Sequence, residues 1–475
     1  MTPQTQELLR SIPSVSALLQ HEEVADWLHG LPRATVVAAV QAAADGLRAA
    51  IVAGQRRLPV EVHELLARAE QELLVRSTPS LRRVINATGI VLHTGLGRAP
   101  LGEAAVEALV EGATGYCNLE FDLDTGRRGR RHTHVTNLLT NITGAESALV
   151  VNNNAAATLL ILRTLAEGRE VIVSRGQLIE IGGSYRLPDI MAASGAALRE
   201  VGTTNRTRLS DYEGAITDRT AVLMRVHTSN YRIVGFTESV ALAALADLAH
   251  RYHLLAIDDL GSGALFDLQA FGLPNEPNAR DSLAAGADLV CFSGDKLLGG
   301  PQCGVILGRS ELIERLEASP LMRTYRVGKL TLLALEATLR QYQDPQEAAE
   351  RVTALTMLSL STDRLAVRAA ALSSQLEKAL PGEHFYVGSD VGFVGGGSMP
   401  GYERETVVVK WRPTEATPDD MIASLRRADV PVIARIRDDA LCFDLRTIPE
   451  SDFEGLVASV SAALWEDEPE EDGAA

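Results

Sequence analysis

The segment SGDKLLGGPQ, residues 293–302, follows the apolar run ADLVCF at 287–292 without a break. A lysine at the end of a buried strand, with glycines beside it, is typical of enzymes in which that lysine forms a Schiff base with pyridoxal phosphate (PLP). The lysine, Lys296, is one of only four in the chain. A surface lysine in a turn gives the same short pattern, so the neighbouring segments have to decide between the two.

The composition is that of a globular chain with more than one domain. Its 475 residues exceed one ordinary core, and 46% hydrophobic with 23% charged residues is normal for a water-soluble protein. No apolar run reaches the roughly 18 residues of a membrane span, and the N-terminus lacks a signal-peptide pattern, so we expect a cytoplasmic protein without a membrane partner. The net charge of −17 argues against DNA binding. The four cysteines lack metal-ligand spacing, and we expect no metal site.

Periodicity divides the chain into three regions and a tail. Residues 1–80 have the apolar spacing of helices and predict a helical N-terminal domain. Residues 81–335 alternate short β-branched runs with helical segments, which predicts an α/β domain with a mostly parallel sheet. Residues 336–465 predict a long linking helix and then a small α+β domain. The acidic residues 466–475 predict a disordered tail. The predicted strands of the large domain are 148–152, 170–174, 221–227, 254–258, 289–293 and 303–307.

Acidic and imidazole side chains follow two of these strands. The pyridine nitrogen of PLP needs an anion, because the protonated ring is the electron sink of the cofactor. We choose Asp258 for this role, with Asp259 as its rival and a turn-capping acid as the alternative. His227, or Asn230 after it, is a candidate for contact with the ring, although a lone histidine there is more often structural.

The run VVNNNAAA at 150–157 predicts a strand, a polar turn and the start of a helix. The N–H groups at a helix start bind phosphate, so Asn152, Asn153 and Asn154 are candidate ligands of the PLP phosphate. Ser293, three residues before Lys296, adds a candidate hydroxyl. A plain Asn-rich turn and a plain strand-end serine are the alternatives.

These segments, with IDDLGSG at 257–263, INATGIVLHTGLGRAPL at 85–101 and RTYRVGK at 323–329, resemble the bacterial selenocysteine synthases, or L-seryl-tRNA(Sec) selenium transferases. The likeness covers nearly the whole chain. It implies an aminotransferase-like PLP enzyme of fold type I with a sheet of the seven-stranded type. It also implies that Lys296 carries PLP and that L-seryl-tRNA(Sec) becomes L-selenocysteinyl-tRNA(Sec) by β-elimination to an aminoacrylyl intermediate and addition of selenium from selenophosphate.

The resemblance assigns three arginines to the selenium donor. Because the substrate carboxyl is an ester, arginines are free to bind a phosphorylated anion, and Arg98, Arg323 and Arg326 match the family positions for it. Arg323 and Arg326 are three residues apart, so on a helical turn they would share one face. Solvated surface arginines are the alternative.

The resemblance further implies a tRNA-binding role for residues 1–80 and a homo-oligomer, a decamer built from dimers with active sites at the dimer interfaces. Two departures weaken parts of it: Gln41 stands where we expect a basic residue, and Arg130 where the family usually has a small one. The basic segment Gly126–His134 therefore keeps three interpretations: contact with the tRNA acceptor end, with the PLP phosphate of a partner subunit, or with water alone.

Two other functions remain open. A PLP-dependent β-eliminating lyase acting on a small amino-acid or phosphorylated substrate would share Lys296 and Asp258 but would not need residues 1–80. A catalytically inactive RNA-binding scaffold would not need the lysine, the acid and the phosphate turn together. A dinucleotide site at Gly95–Gly97 lacks the third glycine of that fingerprint.

Overall fold

The structure is a computed structural model that describes residues 2–182 and 185–465. It divides into two compact units, Met1–Arg83 and Val84–Ala475. The acidic tail predicted at 466–475 lies outside the described residues.

The first unit is helical, as its periodicity predicts, and its core lies between the two longest helices. Arg33–Val52 is long and apolar enough to cross a membrane by length and composition. Its buried side chains, Leu47 and Val36 among them, nevertheless form the core of this unit together with Leu65 from Val62–Ser77. The helices are α1 (Pro3–Ser11), α2 (Val15–Leu18), α3 (Glu22–Gly30), α4 (Arg33–Val52) and α5 (Val62–Ser77).

The second unit begins with short elements that lead into a central sheet. Thr133–Thr143 packs on that sheet through Val135 and Leu139, which are fully buried. These first elements are β1 (Ile85–Asn86), β2 (Ile90–Leu92), α6 (Glu103–Ala113), β3 (Phe121–Asp122), β4 (Arg127–Arg128) and α7 (Thr133–Thr143).

The central sheet has seven strands, which confirms the mostly parallel sheet expected from the sequence. The strand order is β5-β13-β12-β11-β10-β6-β9, and β13 alone runs antiparallel to the others. The elements of this part are β5 (Ser147–Val151), α8 (Asn154–Ala166), β6 (Glu170–Ser174), β7 (Glu180–Ile181), β8 (Tyr185–Arg186), α9 (Leu187–Ser194), β9 (Ala197–Val201), α10 (Leu209–Glu213), β10 (Thr220–Val226), α11 (Leu242–Arg251), β11 (Leu255–Gly261), α12 (Ala279–Ala284), β12 (Leu289–Ser293), β13 (Gly304–Gly308) and α13 (Ser310–Glu317).

Side chains alternate between two apolar layers on the faces of this sheet. In β5, Leu149 and Val151 pack with α8, whereas Ala148 and Val150 pack with α7 on the opposite face. Because both faces are covered, the strands consist of near-continuous apolar runs, and this is why all six predicted strands are found. The edge strand β9 was missed because Arg199 and Glu200 interrupt its apolar pattern.

The C-terminal part corrects two expectations. The single linking helix expected after residue 336 is divided into several helices, and Asp344 and Pro345 begin one of them as N-cap and first residue. The division expected between residues 81–335 and 336–465 is also not a clean one, because Ile85–Asn86 and Ile90–Leu92 pair with strands of the C-terminal part, at Val432–Ile433 and His384–Gly395. The elements are α14 (Met322–Tyr325), α15 (Lys329–Gln341), α16 (Pro345–Arg351), α17 (Thr353–Ser359), α18 (Thr362–Ala379), β14 (His384–Gly395), β15 (Glu403–Arg412), α19 (Pro418–Arg427), β16 (Val432–Ile433), β17 (Arg435–Arg437), β18 (Ala440–Asp444) and α20 (Phe453–Trp465).

A five-stranded sheet, β17-β18-β15-β14-β2, carries this part. Its longest strand, β14, was not predicted from the sequence, because glycines and polar residues fill HFYVGSDVGFVG. Trp411 of β15 is fully buried between Phe385 and Phe443, with ring centroids 5.7 and 6.5 Å away. This aromatic stack anchors the sheet under α18.

Gly304 offers a test of how β13 fits against the turn before α8. A Cβ at this position would lie 2.2 Å from the carbonyl oxygen of Asn153. We expect Gly304→Ala to lower the free energy of unfolding by about 1–3 kcal/mol, measured from the urea midpoint. Gly388→Ala is the control, because its Cβ would lie 3.8 Å from the nearest atom, Lys410 Cε. Equal effects of the two substitutions would contradict the close approach.

Candidate active site

Lys296 lies directly after β12 and is almost completely buried, with 4% of its surface exposed. Burial, helped by the positive charge of Arg98, lowers the pKa of its amine to about 8. Within the described residues, no hydrogen bond is made to its Nζ atom. A Cβ at Gly397 would lie 2.5 Å from that atom, and the φ of 86° there also favours glycine, so this glycine suits the close approach of the backbone to the amine.

The two adjacent acids of β11 point to opposite faces of the sheet. Asp259 lies on the α8 face, where its carboxylate accepts hydrogen bonds from Asn154 Nδ2 at 2.8 Å and Thr158 Oγ1 at 3.1 Å. Asp258 lies on the other face, where Arg225 holds its carboxylate through two hydrogen bonds. Lys296 acts electrostatically on Asp259. This geometry favours Asp259 over our choice of Asp258, because successive strand residues alternate faces and only one can meet a ligand on the α8 side.

The asparagine turn joins β5 to α8. Asn153 is the N-cap of α8, and its Oδ1 accepts a hydrogen bond from the N–H of Ala156 at 2.8 Å. Asn154 donates a hydrogen bond to the Asp259 carboxylate. Asn152 is exposed, and its backbone N–H donates to the carbonyl of Tyr325. Ser293 is buried at the end of β12, on the same strand face as Cys291. The asparagine turn thus places the N-terminus of α8 beside the carboxylate of Asp259.

His227 follows β10 and touches the same region through its backbone, whose N–H donates to the carbonyl of Asp259 at 2.8 Å. Its ring lies 3.1 Å, Nε2 to Oε1, from the carboxylate of Glu276, which is 3% exposed. The charge of Glu276 also acts on Lys296. Sequence reasoning missed Glu276, since an acid in a Pro-Asn-Glu-Pro loop has no pattern that marks it.

Arg98 forms an ion pair with Asp295, the residue directly before Lys296. Its Nη1 donates to Asp295 Oδ2 at 2.8 Å, and the N–H of Ala99 donates to the carbonyl of Asp295. Arg98 has a φ of 64°, a left-handed conformation that is uncommon for a residue other than glycine. Such strain is typical of functional positions, where the surrounding structure imposes it.

Arg323 and Arg326 lie in a separate cavity of about 360 Å³, here called the arginine cavity. The helical turn expected for the pair is wrong in part, because α14 ends at Tyr325 and Arg326 is extended. Both side chains still line the same cavity. The backbone of Arg326 forms a β-bridge with Val151, so the arginine cavity begins beside the asparagine turn.

Residues 128–132 of the basic segment predicted at Gly126–His134 line this same cavity. Five arginines line it against two glutamates, Glu120 and Glu317. Hydrogen bonds from Arg128 and Arg131 lower the pKa of Glu120 to about 2. Burial, then the neighbouring guanidinium groups of Arg131 and Arg323, lower the pKa of Arg326. The tertiary structure therefore joins two arginine groups that are almost 200 residues apart, and the cavity has an excess of positive charge. The arginines are Arg128, Arg130, Arg131, Arg323 and Arg326.

Another cavity, of about 350 Å³, lies beside Lys296 and is lined in part by the glycines Gly395–Gly397 after β14. Ser229 and Gly397 line it, and a side chain at Gly261 would lie 3.5 Å from Ser229 Oγ and 3.9 Å from Lys296 Nζ. The sequence signal for this loop is the triple glycine itself, which we did not use.

The residues around Lys296 fit PLP. The hydroxyls of Ser229 and Ser262 and the Oδ1 of Asn154 are buried without a hydrogen-bond partner among the described residues. Burial raises the pKa of the Asp259 carboxyl, so a cation such as a protonated pyridine would relieve its charge. An amine, a buried acid and a helix N-terminus on one face of this sheet define a PLP-dependent enzyme of fold type I.

The comparisons with known proteins identify the family. A family model described as L-seryl-tRNA selenium transferase matches residues 84–449, and one described as selenocysteine synthase N terminal matches residues 9–48. The L-seryl-tRNA(Sec) selenium transferase of Solidesulfovibrio magneticus is 50% identical over 469 residues, 98% of this chain and 99% of that protein. The enzyme of the same name from Desulfomicrobium baculatum is 48% identical over 463 residues, 96% of this chain and 99% of that protein. The chain belongs to the L-seryl-tRNA selenium transferase family and is a PLP-dependent transferase.

A solved structure supports the fold independently. The structure of D-glucosaminate-6-phosphate ammonia-lyase superposes with a TM-score of 0.55 at 20% sequence identity. The superposition covers 81% of this chain and 96% of the ammonia-lyase chain. The similarity shows the shared fold.

Substitutions at the two acids of β11 separate their roles. We expect Asp259→Asn to reduce turnover by about 10²- to 10³-fold, because the site loses its only acid on the α8 face of β11. Asp258→Asn should instead cost about 3 kcal/mol of stability, because Arg225 loses its partner, while folded protein keeps its turnover. Turnover per bound cofactor and the urea midpoint measure both effects. If Asp258→Asn lost turnover and Asp259→Asn did not, Asp258 would be the acid that meets the pyridine nitrogen.

The depressed pKa of Lys296 predicts the pH dependence of cofactor attachment. Only the neutral amine attacks an aldehyde, so below pH 8 the attachment rate of PLP to cofactor-free protein should rise about tenfold per pH unit and then level off. Arg98→Gln removes a positive charge near the amine, so its pKa rises and the midpoint moves to higher pH. Arg340→Gln, an exposed change on α15, should leave the midpoint in place. Absorbance of the lysine-bound cofactor gives the rates, and an unchanged midpoint in Arg98→Gln contradicts the assignment.

Proposed function

We propose that this enzyme converts L-seryl-tRNA(Sec) to L-selenocysteinyl-tRNA(Sec), with selenophosphate as the selenium donor. The reaction agrees with the family of the chain and with the names of its relatives. The observation that carries the proposal is the combination of Lys296 with two arginine sites: one ion pair beside the amine and one arginine-rich cavity beside the asparagine turn. An enzyme that handles an esterified serine and a phosphorylated donor needs anion sites of this kind.

The residues proposed to hold PLP are Lys296, Asp259, Ser293 and the asparagine turn. When bound, the cofactor supplies an electron sink for the bond that breaks at the substrate Cα. Lys296 has two tasks: to hold the cofactor covalently and, once displaced, to move the proton of Cα. A pKa of about 8 keeps a substantial neutral fraction of this amine near physiological pH, as a base requires. The Asp259 carboxylate would pair with the protonated pyridine of the cofactor. The N–H groups at the start of α8 would bind its phosphate.

His227 and Glu276 form a positioning pair at the same edge of the sheet. If Glu276 accepts a hydrogen bond from Nε2, the other ring nitrogen of His227 becomes the acceptor in a neutral imidazole. The pair thereby fixes one orientation of the ring, at a residue whose backbone N–H donates to the carbonyl of Asp259. We propose that His227 contacts the cofactor ring through this fixed orientation.

Arg98, Arg323 and Arg326 are proposed to bind the anionic donor. In one chain they do not line a common cavity, since Arg98 pairs with Asp295 while the other two lie in the arginine cavity. A homo-oligomer with active sites at its dimer interfaces would bring one copy's arginine cavity to the lysine of another. We therefore propose a dimer-based assembly, a decamer by family resemblance.

The first unit is proposed to bind the tRNA. Its support is the separate family model that matches residues 9–48 and the independent helical core. A small-substrate lyase would not need this unit. We also propose a cytoplasmic location, where aminoacylated tRNA is available.

A conversion assay with seryl-tRNA(Sec), run with and without selenophosphate, tests the proposal. We expect selenocysteinyl-tRNA(Sec) only with the donor, and no product from Lys296→Ala. Arg323→Gln should still consume the serine but incorporate selenium at least about tenfold more slowly, because one charge-assisted hydrogen bond is lost. Seryl-tRNA(Ser) serves as the substrate control. Equal conversion of both tRNAs, or turnover of free serine alone, would contradict the assigned substrate.

A further inference from the structure

A cavity of about 570 Å³ lies apart from the residues proposed to hold PLP, between helices of the large sheet and the C-terminal part. Its walls come from the start of α6, one face of α15 and the α16–α17 junction, with Arg368 and Arg446 on the other side. We call it the Arg446 cavity. Its volume is in the range of small-molecule sites, which are common at junctions between such layers. None of the residues proposed for the reaction lines it.

Arg446 brings a buried, poorly compensated charge to this cavity. It is 2% exposed, and its guanidinium donates to the carbonyl oxygens of Met357 at 2.9 Å, Leu360 at 3.1 Å and Glu405 at 2.6 Å. No carboxylate of the described residues lies within ion-pair distance. Burial lowers its pKa to about 10. Carbonyl groups satisfy N–H donors but do not neutralise a charge, and a buried charge without a counterion is costly.

Arg368 adds a second guanidinium with a weak counterion. It donates to the carbonyl of Ile448, and the nearest carboxylate is Glu450, at 4.0 Å and largely exposed. Burial lowers its pKa as well. Its Nε, the Nε of Arg446 and the Oε1 of Gln341 are buried without a hydrogen-bond partner among the described residues. Three unsatisfied polar groups around one cavity are more than packing explains.

The other residues that line the Arg446 cavity restrict the kind of ligand that it can bind. The first residues of helix α6 line this cavity, and its N-cap, Gly102, provides no side-chain cap, so the start of the helix adds a partial positive charge to the wall. Ala104, Ala337 and Val352 supply an apolar surface, and the acids of the lining are exposed. A role of Arg446 as a strut between carbonyls accounts for its own hydrogen bonds, but not for Arg368, Gln341 and the open space.

We propose that the Arg446 cavity binds a small organic anion, a carboxylate or phosphate monoester with an apolar body. The anionic group lies between Arg368 and Arg446, and the apolar body lies along α15. The site is coupled to the catalytic lysine. Gly299, three residues after Lys296, is in its wall, and Tyr342, next to Gln341, donates to the carbonyls of Leu297 and Leu298. A bound anion would hold this segment in place.

Thermal unfolding of the PLP-loaded full chain tests the site with two probes, phenyl phosphate and benzoate. We expect saturable stabilisation by at least one probe, and the probe that stabilises more identifies the phosphate or the carboxylate class. Arg368→Gln should weaken the probe's apparent affinity about ten- to hundredfold, since one charge-assisted contact is lost. Lys378→Gln, which removes one exposed charge from the same helix α18, should bind as the unaltered protein does. The proposal is overturned if neither probe stabilises the protein. It is also overturned if Arg368→Gln and Lys378→Gln bind the probe with equal apparent affinity.

A second variant keeps the test valid if Arg368→Gln does not fold. Ala337→Phe fills the cavity from α15 and leaves both arginines in place. We expect it to abolish binding of both probes while the unliganded protein stays folded and loaded with PLP. Probe binding that persists in Ala337→Phe would place the anion elsewhere, in the arginine cavity for example, and overturn the assignment.

Discussion

A buried amine and a buried carboxylate at the edge of one sheet are the constraint on which this structure depends. Burial lowers the pKa of Lys296 and raises that of Asp259, so the charged form of each group is disfavoured. A structural core would not retain such groups, because apolar residues of similar volume are more stable there. Their retention agrees with a site that awaits a charged cofactor, and the seven-stranded sheet supplies the rigidity that holds them.

Close backbone approaches complete this arrangement. Gly304 lets β13 lie against the carbonyl of Asn153, and Gly397 lets the loop after β14 reach the amine of Lys296. Both contacts join segments far apart in the chain, one of them across the two sheets of the second unit. The site is therefore a product of both sheets, although the sequence pattern placed all of the PLP residues on the larger one.

Sequence periodicity predicted the six buried strands because both faces of the sheet are covered, which makes each strand a continuous apolar run. It missed β9 and β14, whose charged and glycine-rich segments are strands because of their neighbours and not because of local preference. The sequence could not separate Asp258 from Asp259 for a different reason. Both acids end the same apolar run, and only the pleat, fixed by packing on α8, determines which one shares a face with the cofactor residues.

The sequence by itself determined the fold class and the family and predicted the lysine and the phosphate turn, because each of these depends on short segments with their own periodicity or motif. The tertiary structure alone decided which charges meet. It pairs Arg98 with Asp295, gathers residues 128–132 with Arg323 and Arg326, and leaves the buried guanidinium of Arg446 without an ion pair among the described residues. Electrostatic interactions depend on distance and burial in three dimensions, and neither can be read from spacing along the chain.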